Sequence, residues 1–175
     1  MKRVAVFGNA GGGKSTLARR LAELTGLPLY SLDMIAFRAG GGAVPQDDYL
    51  KAHAEILTRE AWIIDGYGST ASAFERFAIA DTLIYVDLPR STHYRWVLKR
   101  FVKGLFVKPE GWPDDPQLWA STLSGLRVVG LCHQHLTPKY RAYVAQAAGS
   151  KRVHHLRSPR QIRAFLQAVK KEHRL

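Results

Sequence analysis

The eight residues Gly8-Asn9-Ala10-Gly11-Gly12-Gly13-Lys14-Ser15 constrain this chain more than any other segment. They read G-x-x-x-x-G-K-[ST], between the apolar run Val4-Ala5-Val6-Phe7 and a helical pattern carrying Leu17, Leu21 and Leu24 on one face. A strand, a glycine-rich turn and a helix in that order bring successive backbone N–H groups into one concavity, and the helix N-terminus adds partial positive charge. Such a concavity suits phosphate oxygens. The alternative, a glycine-rich turn with an incidental lysine, explains neither the strand before it nor the amphipathic stretch after it.

The remainder of the chain keeps the same rhythm. Short apolar runs at Arg3–Phe7, Leu29–Ser31, Ala61–Asp65, Thr82–Asp87 and Arg152–Leu156 read as strands. Near-continuous apolar character, as in Leu83-Ile84-Tyr85-Val86, predicts burial on both faces of the sheet. Between them lie helical patterns from Lys14 to about Thr25, at Gln46–Arg59 and at Ser91–Val102. A long pattern over Gln117–Ala148 breaks near Pro138, and Pro159–Lys171 opens on Ser158 as N-cap. The alternation predicts an α/β fold with a parallel sheet wrapped by helices. At 175 residues, with no repeat and no linker, it predicts a single domain over 1–175. Two segments interrupt the pattern. Residues 38–44 contain Gly40-Gly41-Gly42 and read as a mobile loop, and 104–116 carry Pro109, Pro113 and Pro116.

The formal charge of +12 points to polyanionic partners. A lone cysteine, Cys132, excludes an internal disulfide framework and suits a reducing compartment. With no apolar run of membrane-spanning length, neither a transmembrane helix nor a membrane partner is expected, and the predicted setting is cytoplasmic.

The motif assigns roles to its own residues. Gly8, Asn9, Ala10, Gly11, Gly12 and Gly13 form the cradle, and Lys14 reaches the β- and γ-phosphates of a nucleoside triphosphate. Ser15 ligates Mg²⁺, and Thr16 donates to the α-phosphate. Trp62-Ile63-Ile64-Asp65-Gly66 is an apolar run ending in a carboxylate, which suits Asp65 to holding the metal. A turn aspartate before glycine is the other reading. Asp33, just past the second strand, is placed to orient or deprotonate an acceptor hydroxyl, or to serve as a helix N-cap. From Leu88 to Pro109 the chain has Arg90, Arg95, Lys99, Arg100, Lys103 and Lys108 and no acid. Phosphoryl transfer spreads negative charge over the moving oxygens, so these cations read as the leading edge of a mobile lid spanning about 100–118. A nucleic-acid-facing or solubilising patch is the competing reading.

Other constellations carry less. Cys132-His133-Gln134-His135 has no metal-ligand spacing on a helix, and His154 and His155 point to opposite faces of a strand. Trp62 reads as core, and Trp112 as a lid residue able to stack on a base. Residues 139–175 carry ten Lys and Arg against Glu172 alone, which leaves nucleic acid open as a partner, but no base-reading motif accompanies them.

With these residues in view, the chain resembles the adenylate-kinase-like P-loop kinases, and within them the DNA topology modulation proteins. The shared pieces include Leu32-Asp33, Trp62-Ile63-Ile64-Asp65-Gly66, Ala80-Asp81-Thr82, Asp87-Leu88-Pro89-Arg90, Tyr94-Arg95 and Leu156-Arg157-Ser158-Pro159. The resemblance implies a P-loop NTPase three-layer sandwich with a five-stranded parallel sheet in the order 2-3-1-4-5. It implies ATP and Mg²⁺ as cosubstrates, an acceptor site over about 33–60, and Arg95 with Lys99-Arg100 as lid cations. Arg157 would lie near the adenine. Where adenylate kinases carry Pro-Arg after Asp-Gly, this chain has Tyr67-Gly68, so AMP is not the expected acceptor. Arg76 matches a recurrent arginine and, with Arg90, would bind the acceptor instead. The expected function is ATP- and Mg-dependent phosphoryl transfer to a small-molecule or nucleotide acceptor of unknown identity. The alternative is a nucleotide-switched DNA- or RNA-binding regulator using the basic C-terminal region.

Overall fold

Strand β1 (Arg3–Gly8) lies at the centre of a five-stranded parallel sheet whose order is β2-β3-β1-β4-β5. Its partners are β3 (Trp62–Asp65) on one side and β4 (Thr82–Val86) on the other. The outer strands are β2 (Leu29–Ser31), paired with β3, and β5 (Arg152–Leu156), paired with β4. The structure is a computed structural model that describes residues 1–36, 42–106 and 118–173, with the backbone alone at 100, 101, 103–106 and 118–125. The sheet order and strand positions are those expected.

Alternation along β1 divides the interior into two layers. Val4 and Val6 face α1 (Lys14–Thr25) and α8 (Pro159–Glu172), where they pack with Leu17, Leu21, Phe165 and Val169. Ala5 and Phe7 face the opposite side. There Phe7 lies 4.1 Å from Phe77, 5.1 Å from Tyr85 and 5.2 Å from Tyr140, measured between ring centroids. Tilted, stacked and edge-on contacts of this kind hold an aromatic cluster together beyond simple area burial. Trp62 is fully buried there, as expected of a core residue.

Several elements depart from the sequence-based expectation. Leu32–Ala36 forms a short helix, α2, directly after β2. α3 (Gln46–Leu57) ends close to its expected limit. α4 (Thr70–Ile79) was not anticipated; Ser69 caps it, accepting from the Ser72 amide. α5 runs from Arg90 to Phe106, beyond the Val102 boundary. The expected long helix is two, α6 (Leu118–His135) and α7 (Thr137–Ala147), parting at Leu136 so that Pro138 stands in the first turn of α7. A proline is tolerated there because its missing N–H has no helical acceptor in any case. Most of the glycine loop and of the expected lid, at 37–41 and 107–117, lies outside the described residues, as do Lys108 and Trp112.

Candidate active site

The glycine-rich loop leaves β1 at Gly8, whose φ is 143°. A Cβ at that position would overlap the Val86 carbonyl oxygen on β4, so only glycine lets the loop begin this close to the neighbouring strand. Asn9 is buried and grips the loop from within: its Oδ1 accepts from the Ala10 amide at 2.7 Å, and its Nδ2 donates to the Val129 carbonyl of α6 at 3.2 Å. Lys14, at the start of α1, reaches back and donates from Nζ to the Asn9 carbonyl at 2.9 Å. Its ammonium group is therefore already held over the loop. Ser15 and Thr16 are exposed on the first turn of α1.

Asp65 ends β3, in register with Val6 of β1 and Ser31 of β2. It is 2% exposed. Burial pushes its carboxyl above the ordinary range, while the Ser15 hydroxyl, Lys14 and the Gly66 amide pull the other way and Asp33 adds to the rise. Its Oδ1 has no hydrogen-bond partner among the described residues. A buried orphan carboxylate oxygen beside a serine hydroxyl and a second carboxylate is a set of hard oxygen donors, and that set fits Mg²⁺. Asp33 is exposed in the first turn of α2, and a Cβ on Gly66 would come 3.4 Å from its Oδ1. The two carboxylates thus meet at the carboxyl ends of β2 and β3.

Arg76 is a correction. Expected to bind an acceptor, it is 0% exposed inside α4, and its guanidinium is committed to backbone carbonyls. Nη2 donates to Gly66 at 2.6 Å, and Nη1 and Nη2 both donate to Tyr67 at 3.2 Å. Burial works against its charge, with Tyr49, Tyr140 and Asp65 among the groups supporting it. Arg76 thus ties down the turn at Gly66 and Tyr67 from inside the protein, while its Nε has no hydrogen-bond partner among the described residues.

The expected lid cations Arg95 and Lys99 stand exposed on α5, and Arg90 opens that helix, also exposed. The Arg100 side chain lies outside the described residues. Trp96, between them, covers the loop; a Cβ on Gly13 would meet its ring at 2.8 Å. Beside it a cleft of about 290 Å³ runs from Gly13 and Thr16 to Ile162 and Leu166 of α8. Arg157, at the start of the β5–α8 connection, is exposed and lies 3.3 Å from His155 Nδ1.

One constellation was missed in the sequence. Asp87, just past β4, is buried and accepts from Arg141 of α7 through Nε at 2.8 Å and Nη2 at 3.0 Å. His155 Nε2 lies 2.8 Å from the same carboxylate. Burial alone would raise the Asp87 pKa, but these partners prevail and hold it below the usual range. The available signal was a carboxylate at a strand end within Asp87-Leu88-Pro89-Arg90. The basic tail therefore has divided tasks. Arg141 neutralises Asp87, Lys151 donates to the Ala78 and Ala80 carbonyls at 2.7 Å, and Arg160, Arg163, Lys170 and Lys171 line the exposed face of α8.

No family model matches the chain. Over 46 residues it is 44% identical to a shikimate kinase of Leptospira borgpetersenii serovar Hardjo-bovis (strain JB197), a segment that is 26% of each protein. The chain thus matches about a quarter of the length of that curated relative. It also superimposes on a shikimate kinase from Acinetobacter baumannii solved in complex with shikimate, with a TM-score of 0.62 and 18% identity, covering 98% of this chain and 92% of that one. The chain therefore shares the α/β fold of that shikimate kinase, with its five-stranded parallel sheet in the order β2-β3-β1-β4-β5. Among the described residues no helix is long and apolar enough to cross a membrane.

Proposed function

We propose that this protein is a kinase that transfers the γ-phosphoryl group of ATP to a hydroxyl of a small-molecule acceptor. The observation that carries the reading is the meeting of Lys14, Ser15 and Asp65 at the carboxyl ends of β1 and β3, with the Asp33 carboxylate beside them. Loop amides from Gly8 to Thr16 would hold the phosphates, with Lys14 on the β- and γ-oxygens. Ser15 and Asp65 would hold Mg²⁺, which when bound would supply positive charge to offset that of the phosphates. The acceptor oxygen forms its bond to the γ-phosphorus as the bond from that phosphorus to the bridging oxygen breaks. The hydroxyl proton passes to Asp33, and ADP leaves. Arg95 and Arg100 would neutralise charge on the moving group, Arg90 would attract an anionic acceptor, and Arg157, in the loop after β5, would lie near the adenine.

The relatives' acceptor supports a hydroxylated small molecule over a nucleotide, as does the Tyr67-Gly68 sequence where adenylate kinases carry Pro-Arg. The finer resemblance to DNA topology modulation proteins rests on Asp87-Leu88-Pro89-Arg90 and Leu156-Arg157-Ser158-Pro159. The test is ADP release from ATP·Mg²⁺ across a panel of hydroxylated metabolites, shikimate included, and nucleoside monophosphates. One acceptor should raise release well above basal hydrolysis, and Lys14→Ala should lower that turnover roughly 100-fold with the circular dichroism spectrum unchanged. Full turnover in the Lys14 variant overturns the assignment.

A further inference from the structure

The face of α5 turned toward the glycine-rich loop carries a histidine that phosphoryl transfer does not use. His93 is completely buried, 83 residues from the loop in sequence, and its Nδ1 lies 2.9 Å from the Ala10 carbonyl oxygen. Because a carbonyl only accepts, the proton of this bond is on Nδ1. The ring also underlies the next turn of the loop: a Cβ on Gly12 would come 2.9 Å from His93 Cε1. One helical turn on, Val97 stands beneath Gly11, whose Cβ would lie 2.9 Å from Val97 Cγ2. Burial pushes the imidazole down to about 4, against the Ala10 and Leu88 carbonyls, which favour its charged form. The ring is therefore neutral at physiological pH. The His133 ring meets it nearly edge-on at 5.2 Å.

We infer that His93 is a positioning residue for the phosphate loop. In a trans peptide the C=O and N–H point in opposite directions. Holding the Ala10 carbonyl toward α5 therefore turns the Gly11 N–H away from α5, to the side where a phosphate would be received. Asn9 fixes the other half of the same turn, since its Oδ1 takes the Ala10 N–H. Ala10 is thereby held on both sides, through the N–H of the peptide group before it and the C=O of the one after it, and the two bonds together fix the shape of the loop.

This inference rests on the phosphate-binding reading, and its test separates the two. His93→Asn keeps a donor nitrogen at the same number of bonds from the backbone as Nδ1. His93→Gln moves the donor one bond further, and His93→Leu removes it. Each variant is titrated calorimetrically with ATP·Mg²⁺ and with tripolyphosphate, which has no base or sugar, and its melting temperature is taken without ligand. His93→Leu and His93→Gln should weaken both ligands about tenfold, the effect of one misdirected charge-assisted donor, and His93→Asn should stay within about threefold of the wild type. Equal weakening in the Asn and Gln variants, undiminished affinity in the Leu variant, or loss confined to ATP overturns the role. If the Leu variant fails to fold, the Asn and Gln pair decides. A wild-type protein that binds neither ligand overturns the phosphate-binding reading itself.

Discussion

Arg76 donates from Nη2 to the Gly66 carbonyl at 2.6 Å, so a guanidinium sealed from solvent sets the course of the chain immediately after Asp65. Arg76→Met would leave the Gly66 and Tyr67 carbonyls without their donors. The expected cost is about 3 kcal/mol, read by urea denaturation. Arg76→Lys keeps the charge but lacks the planar fork, so it should fall between the two. Unchanged stability in the methionine variant would contradict this role.

Asp65 illustrates a conflict between stability and chemistry. Burial holds its folded pKa above the ordinary 3.8. A group shifted upward stabilises the fold below its unfolded pKa, and that contribution is lost as pH rises through the folded value. Above the unfolded pKa the carboxyl group is therefore a net cost relative to a neutral side chain. Asp65→Asn should melt about 3 °C above the wild type at pH 7, roughly what 1 kcal/mol amounts to in a chain of this size. Its Mg²⁺-dependent turnover should drop roughly 100-fold. A lower melting temperature would refute the electrostatic account.

Asp87 behaves in the opposite sense. Although burial opposes ionisation, Arg141 and His155 hold its folded pKa below 3.8. Its stabilisation is present above the unfolded pKa and is lost as pH falls through the folded value. Asp87→Asn should cost about 2 kcal/mol at pH 7, less than a fully buried pair because the half-exposed Arg141 can turn to water. The gap between variant and wild type should narrow as pH falls below 3.8, followed by denaturation at stepped pH. A gap independent of pH would rule the ion pair out as its source.

Gly68 has φ of 67°, and a Cβ there would overlap the Tyr49 hydroxyl, which bonds Ser72 at 3.2 Å. Gly68→Ala should destabilise by about 3 kcal/mol, combining left-handed strain with the displaced tyrosine. Adding Tyr49→Phe removes the obstructing oxygen and should recover about 1 kcal/mol, leaving the backbone strain in place. Strict additivity of the two changes would deny the contact.

Local pattern made much of this molecule legible. Val4–Phe7, Trp62–Asp65 and Thr82–Val86 are short apolar runs bounded by turn residues, and all three are buried strands. The position of Asp65 was readable because it closes such a run before a glycine, the end of a buried strand. α4 was hidden because its cap pairs Ser69 with Ser72, where the usual box has Glu or Gln, and because a buried arginine interrupts its apolar stripe. Asp87 was unreadable for another reason: its partners stand 54 and 68 residues away, and only the sheet brings them together. His93 lies under the loop through the same long-range pairing.

The central position of β1 has a consequence for synthesis on the ribosome. A nascent chain of residues 1–81 already contains the whole glycine-rich motif, but neither β4, on which Gly8 rests through Val86, nor α5 with His93 has yet been made. Polymerising the motif and acquiring its folded shape are therefore separate events, and on the proposed function a translation-arrested intermediate of that length should not retain a nucleotide.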